Sequence, residues 1–191
     1  VIETSTVAFE AESDQLHVLP ELGALVRVGS RDDRLSCFGV VAFGSTGGLD
    51  ASRHAVRRGG DDLADEAIYA RHPELELILR TVFQVALVGY RDGDIYRHAL
   101  PALPAPLHYS VFACNIAEID AFCRQPRYLG SLLNYRGDVS PEQLVAAHLR
   151  WVDVRLNDRQ EWLLAATRRL AHLMKRDYDG LVSILELVAP D

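Results

Sequence analysis

Gly44-Ser45-Thr46-Gly47-Gly48 follows a strand-forming run, where a phosphate-binding loop would stand. Such a loop needs a lysine after its last glycine to face the terminal phosphates, and none follows here. The segment is therefore expected to be a mobile turn. Ser45 and Ser131 each adjoin a glycine, but the Gly-x-Ser-x-Gly elbow that would present a nucleophile is absent. The seven histidines, at 17, 54, 72, 98, 108, 148 and 172, form neither His-x-x-x-His nor His-Glu-x-x-His. His98, His108 and Cys114 are the set that neighbouring strands could bring together, and the plainer expectation is satisfied core or surface histidines. Asp61, Asp62, Asp65 and Glu66 cluster at an expected helix start, where acids favour the helix dipole, and their spacing matches no calcium loop. No catalytic residue, metal or cofactor is assigned, and the chain is expected not to be an enzyme.

Two groups of cations remain. Arg53, Arg57 and Arg58 lie in one inserted segment, and Arg53 and Arg57, four apart, share a face if helical. They are the expected partner contacts. Arg168, Arg169, His172, Lys175 and Arg176 cluster near the C-terminus. Arg168, His172, Lys175 and Arg176 fall opposite the apolar stripe of a helix and suit its C-terminal dipole. Arg168, Arg169, Lys175 and Arg176 are the candidate nucleic-acid contacts.

Composition limits the classes open to the chain. It has 191 residues, 49% of them apolar and 25% charged, and a formal charge of −7. Residues 1–113 hold 16 acids against 10 bases, and residues 114–191 hold 11 against 10. The first part would repel nucleic acid; the second is close to neutral. Lys175 is the only lysine, so basic contacts would be made by planar arginine forks. Cys37, Cys114 and Cys123 are odd in number and widely spaced, which fits reduced thiols in a cytoplasmic protein. The opening Val1-Ile2-Glu3-Thr4 does not read as a signal peptide. It also lacks an initiator methionine, so a few residues are expected to be missing there.

Periodicity divides the chain into a strand-rich part and a helical part. Strands are expected over 1–12, 22–28, 35–43, 80–91, 94–98 and 107–113, with Asp92-Gly93 as a hairpin turn. A long insertion, residues 44–79, would carry helical pieces near 50–58 and 61–71. Helices are expected over 118–124, 127–134, 140–156, 158–175 and 177–188. Ser140-Pro141-Glu142-Gln143 reads as a capping box, and Asp158-Arg159-Gln160-Glu161 repeats its logic. Trp162, Ala166, Leu170 and Leu173 make the apolar face of one helix. The fold class is α+β: a small N-terminal β-barrel over 1–113, then a helical region over 114–191.

The order of these pieces resembles a known family. The residues that carry it begin with Val1 to Thr6, Leu22-Gly23-Ala24-Leu25-Val26, and Ser45-Thr46 with Leu49-Asp50 and Arg53. They continue with His72-Pro73-Glu74-Leu75, Leu79 to Phe83, Ala86 to Tyr90, Leu100-Pro101 and Pro104 to His108. Leu129 to Leu133, Leu144 to Arg150 and the closing helices complete the set. The chain is similar to the HAS-barrel proteins, named for a β-barrel shared by HerA-type DNA translocases and the ATP synthase. More narrowly, it resembles small stand-alone members from cyanobacteria and related bacteria. The resemblance implies a non-catalytic barrel, supplied in trans, that docks on a HerA-like hexameric ATPase and a NurA-like nuclease in DNA end processing. It carries over no defined site residues. The alternative is a weak nucleic-acid-binding accessory protein that uses the C-terminal basic helix.

Overall fold

The computed structural model describes residues 1–32, 34–49 and 67–189. The expected first strand is in fact a hairpin, β1 (Glu3–Thr4) and β2 (Ala8–Glu12). Ser5 makes the difference. Its hydroxyl accepts from the amides of Val7 and Ala8 at 3.3 and 3.1 Å and donates to the Ala8 carbonyl at 2.9 Å. A serine that satisfies backbone groups locally turns the chain where a ladder would otherwise continue.

The other strands are β3 (Leu25–Gly29), β4 (Leu35–Gly48), β5 (Leu79–Asp92), β6 (Ile95–Arg97) and β7 (Val111–Ala113). Together they form a seven-stranded antiparallel sheet in the order β1-β2-β5-β4-β3-β7, with β6 also on β5. β4 pairs with β5 along its whole length, from Leu35↔Asp92 to Gly48↔Leu79. β2 and β6 therefore share the other edge of β5, at residues 82–86 and 90–92. The Asp92-Gly93 turn forms as expected, with Gly93 at φ +58°.

Gly44 to Gly48 is strand rather than mobile turn. Its own residues favour a loop, but the β-branched run opposite recruits them, since strand preference is set mainly by the neighbours. Thr46 and Thr81 pair across the ladder and share a hydroxyl hydrogen bond of 2.7 Å.

Both faces of the central strands are buried. Leu25, Phe38, Val40, Ala42, Ala86 and Val88 pack on one side against the helices. Val26, Val28, Cys37, Val41, Val85 and Leu87 pack on the other side with Phe9, Ala11 and Ala105. The second core is thus built almost wholly from the strand-rich part. The described strand ladders form an open path from β1 to β7, and a closed barrel is not shown. Val1 links the two ends: its amino nitrogen donates to the Tyr109 carbonyl and its own carbonyl accepts from His108, both at 2.8 Å.

After the short helices α1 (Ile68–Arg71) and α2 (Leu75–Ile78), helical structure returns beyond β7. It comprises α3 (Ile116–Cys123), a 3₁₀ turn over Pro126–Tyr128, α4 (Leu129–Leu133), α5 (Pro141–Asp153), α6 (Arg159–Leu173) and α7 (Tyr178–Val188). α3 starts earlier than expected because Asn115 and Glu118 form a capping box, with bonds of 2.9 and 3.0 Å. Ser140 caps α5 through the Gln143 amide, and Asp177 caps α7 through the Gly180 amide. The Asp158 side chain makes no such bond to α6. Trp162, Ala166 and Leu170 face the core as the spacing required. Among the described residues no helix is long and apolar enough to cross a membrane.

The turn into β3 approaches α5 so closely that only glycine fits. Gly23 has φ +86°, and a Cβ there would lie 2.6 Å from the Ala147 carbonyl carbon and from the His148 nitrogen. Those are helix backbone atoms, which cannot rotate away. Gly23→Ala should cost about 3 kcal/mol or more, combining left-handed strain with overpacking. Urea unfolding followed by circular dichroism measures this; a loss below about 1 kcal/mol would show that the turn and helix separate easily.

Candidate functional site

Arg53, Arg57 and Arg58 lie outside the described residues, as do Asp61, Asp62, Asp65 and Glu66. The C-terminal cations are placed. Arg168 is exposed on α6, and Lys175 and Arg176 are exposed just beyond its end. None of these three has a hydrogen-bond or ion-pair partner among the described residues. Arg169 differs from them: it is half-buried, and its Nε is enclosed without a partner. The basic stripe is therefore Arg168, His172, Lys175 and Arg176, with Arg169 turned toward the protein.

His98, His108 and Cys114 do not gather around a common point. Among the described residues no three His, Cys, Asp or Glu side chains converge as metal ligands. Cys114 is buried, and burial pushes its thiol far above the ordinary range. Cys123 is likewise buried and pushed up to about 12.

His148 is strongly altered by the fold. It sits on the inner face of α5, wholly buried. Its Nδ1 lies 2.7 Å from the Gly23 carbonyl and its Nε2 lies 2.9 Å from the Tyr128 hydroxyl. The carbonyl can only accept, so Nδ1 carries the proton and Nε2 accepts from tyrosine. Both nitrogens of the neutral imidazole are thus satisfied. Burial lowers its pKa to about 4, with the Gly23 bond opposing in part. Nothing around this ring opens to solvent, so the arrangement joins the sheet to the helices rather than presenting chemistry.

A surface cleft of about 520 Å³ lies where β6 meets the end of α3. Tyr90, Tyr96, Arg97, His98, Arg124 and Arg127 line it. Arg124 is held by Asp120 at 2.6 Å, four residues earlier. His98 donates from Nε2 to the Phe122 carbonyl at 2.9 Å and packs edge-on against Phe122 and Tyr128, with ring centres 4.7 and 5.2 Å away. Burial lowers the His98 pKa, and Arg127 adds to the effect. The sequence reading missed this cleft because its two walls come from segments about 30 residues apart. The visible signal was Tyr96-Arg97-His98, which reads only as the return strand of a hairpin.

No protein-family model matches this chain, and no curated protein matches its sequence.

The buried imidazole sets a pH dependence with a definite sign. Unfolded, His148 titrates near the ordinary value of about 6.5. Folded, it titrates at about 4. The unfolded chain therefore binds more protons between these values, and stability is lost as pH falls through the window. Between pH 7 and pH 5 the loss from this residue should be about 2 kcal/mol. Urea unfolding at both pH values, compared with His148→Gln, isolates it. The variant should start less stable and lose correspondingly less on acidification; equal losses would show that His148 is not held neutral.

Proposed function

We propose that the chain is a non-catalytic docking module of the HAS-barrel kind. It seats on a HerA-type hexameric ATPase and helps to engage a NurA-type nuclease in DNA end processing. The resemblance in the order of its segments supports the reading, as does the strand-rich α+β architecture. One structural observation carries it furthest. The far end of the β4–β5 ribbon presents apolar side chains to solvent. Leu49 bonds through its amide to the Ile78 carbonyl at 3.0 Å, which places the two side by side. Leu77 is 77% exposed, Leu49 54% and Ile78 47%. An exposed apolar cluster at the end of a paired ribbon suits a protein contact. The expected contacts Arg53, Arg57 and Arg58 lie outside the described residues.

A second reading rests on Arg168, Lys175 and Arg176, which are exposed and lack partners among the described residues. Those cations suit phosphate contacts in a weak nucleic-acid-binding accessory protein.

Analytical size exclusion of the full chain with the ring ATPase and nuclease of the same source distinguishes the two. The docking reading predicts co-elution, with Leu77→Asp weakening the complex at least tenfold. Failure to associate at tens of micromolar would overturn it. Binding to duplex DNA alone, with a salt slope that Arg168→Ala and Lys175→Ala flatten, would put the second reading in its place.

A further inference from the structure

The cleft between β6 and the end of α3 is basic within an acidic chain. The whole sequence carries seven more acids than bases. Yet three arginines and a histidine line this one depression, and none of its lining residues is acidic. Arg97 and Arg127 are exposed, and their side chains have no hydrogen-bond or ion-pair partner among the described residues. Gathering unpaired guanidinium groups at one place costs self-repulsion, which an anion would relieve. Arginine presents a planar fork of donors that matches phosphate oxygens, and all three cations here are arginines.

The walls are held in place by the core. Tyr96 packs edge-on against Phe38 and Phe122, with ring centres 5.5 and 6.2 Å away. His98 is fixed by its bond to the Phe122 carbonyl. Its Nε2 carries the proton in that bond, which leaves Nδ1 as an acceptor on the neutral ring. Tyr96 and His98, held in this way, lose little freedom on binding. Tyr90, Tyr96 and His98 add flat rings beside the cations. Rings plus arginines are the combination that takes a base and its phosphate together. A cleft of about 520 Å³ lies within the usual span for a small-molecule site.

We propose that this cleft binds a nucleotide unit, its phosphate on Arg97 and Arg127 and its base beside the tyrosines. The same unit can arrive free or as part of a single strand. The proposal does not depend on docking to any ring, and it uses neither α6 nor the insertion over 44–79.

The test titrates the full chain with AMP, by calorimetry, and with a fluorescein-labelled ten-residue thymidine oligonucleotide, by anisotropy. Arg97→Ala with Arg127→Ala should weaken binding at least tenfold, while Arg168→Ala leaves it unchanged. Both arginines are exposed, so circular dichroism of the double variant should match the parent. Saturation by AMP identifies a free nucleotide as the ligand; binding of the oligonucleotide alone identifies a strand. The proposal is overturned if neither probe binds at millimolar concentration. It is equally overturned if the double variant binds as the parent does, or if Arg168→Ala abolishes binding.

Discussion

A histidine buried without solvent holds the two parts of this molecule in register. Enclosing an imidazole costs several kcal/mol unless both nitrogens find partners. Here one partner is a carbonyl in the turn before β3 and the other is a tyrosine hydroxyl beside α4. The arrangement is satisfied only when sheet, 3₁₀ turn and α5 are all in position. Gly23 makes it possible, because a side chain there would hold the turn away from the helix. Tyr128 packs in turn against Phe122 and His98, and His98 also lines the β6–α3 cleft.

Further contacts reinforce the junction. Arg155 lies over the Trp151 ring at 4.0 Å and reaches Glu21 at 3.0 Å, tying the end of α5 to the turn that contains Gly23. Arg27 on β3 meets Glu118 at 2.8 Å, and Glu118 also caps α3. These polar links lie at the edge of the larger core, which takes side chains from β3, β4, β5, the 3₁₀ turn and the five helices α3 to α7. Burial of that core provides the main stabilisation, and the polar contacts fix its geometry.

Most of the elements were legible in the sequence because they follow from local periodicity. The continuous apolar run from Val85 to Val88 fits a strand buried on both faces. The spacing of Trp162, Ala166 and Leu170 announces the inner side of α6. What was not legible depends on distant partners. Gly44 to Gly48 has the composition of a loop and becomes strand only because residues 79–83 lie opposite. Arg169 looks like its neighbour Arg168 until the packing of α6 turns it inward. The β6–α3 cleft has no local signature, since neither wall is distinctive alone. His148 stands among Val145, Leu149 and Val152 on an apolar helix face, which marks it as a core residue but not as the bridge to Gly23.

The central claim is that the sheet and the C-terminal helices form one cooperative unit through this shared core. Native-state hydrogen exchange in low concentrations of denaturant tests it most directly, with peptides from β3, β4, α5 and α6 followed by mass spectrometry. The slowest amides of β3 and α5 should open with the same free energy and the same denaturant dependence. If α5 and α6 instead exchange through a separate, lower-energy opening while β3 and β4 stay protected, the His148 bridge does not couple the two parts.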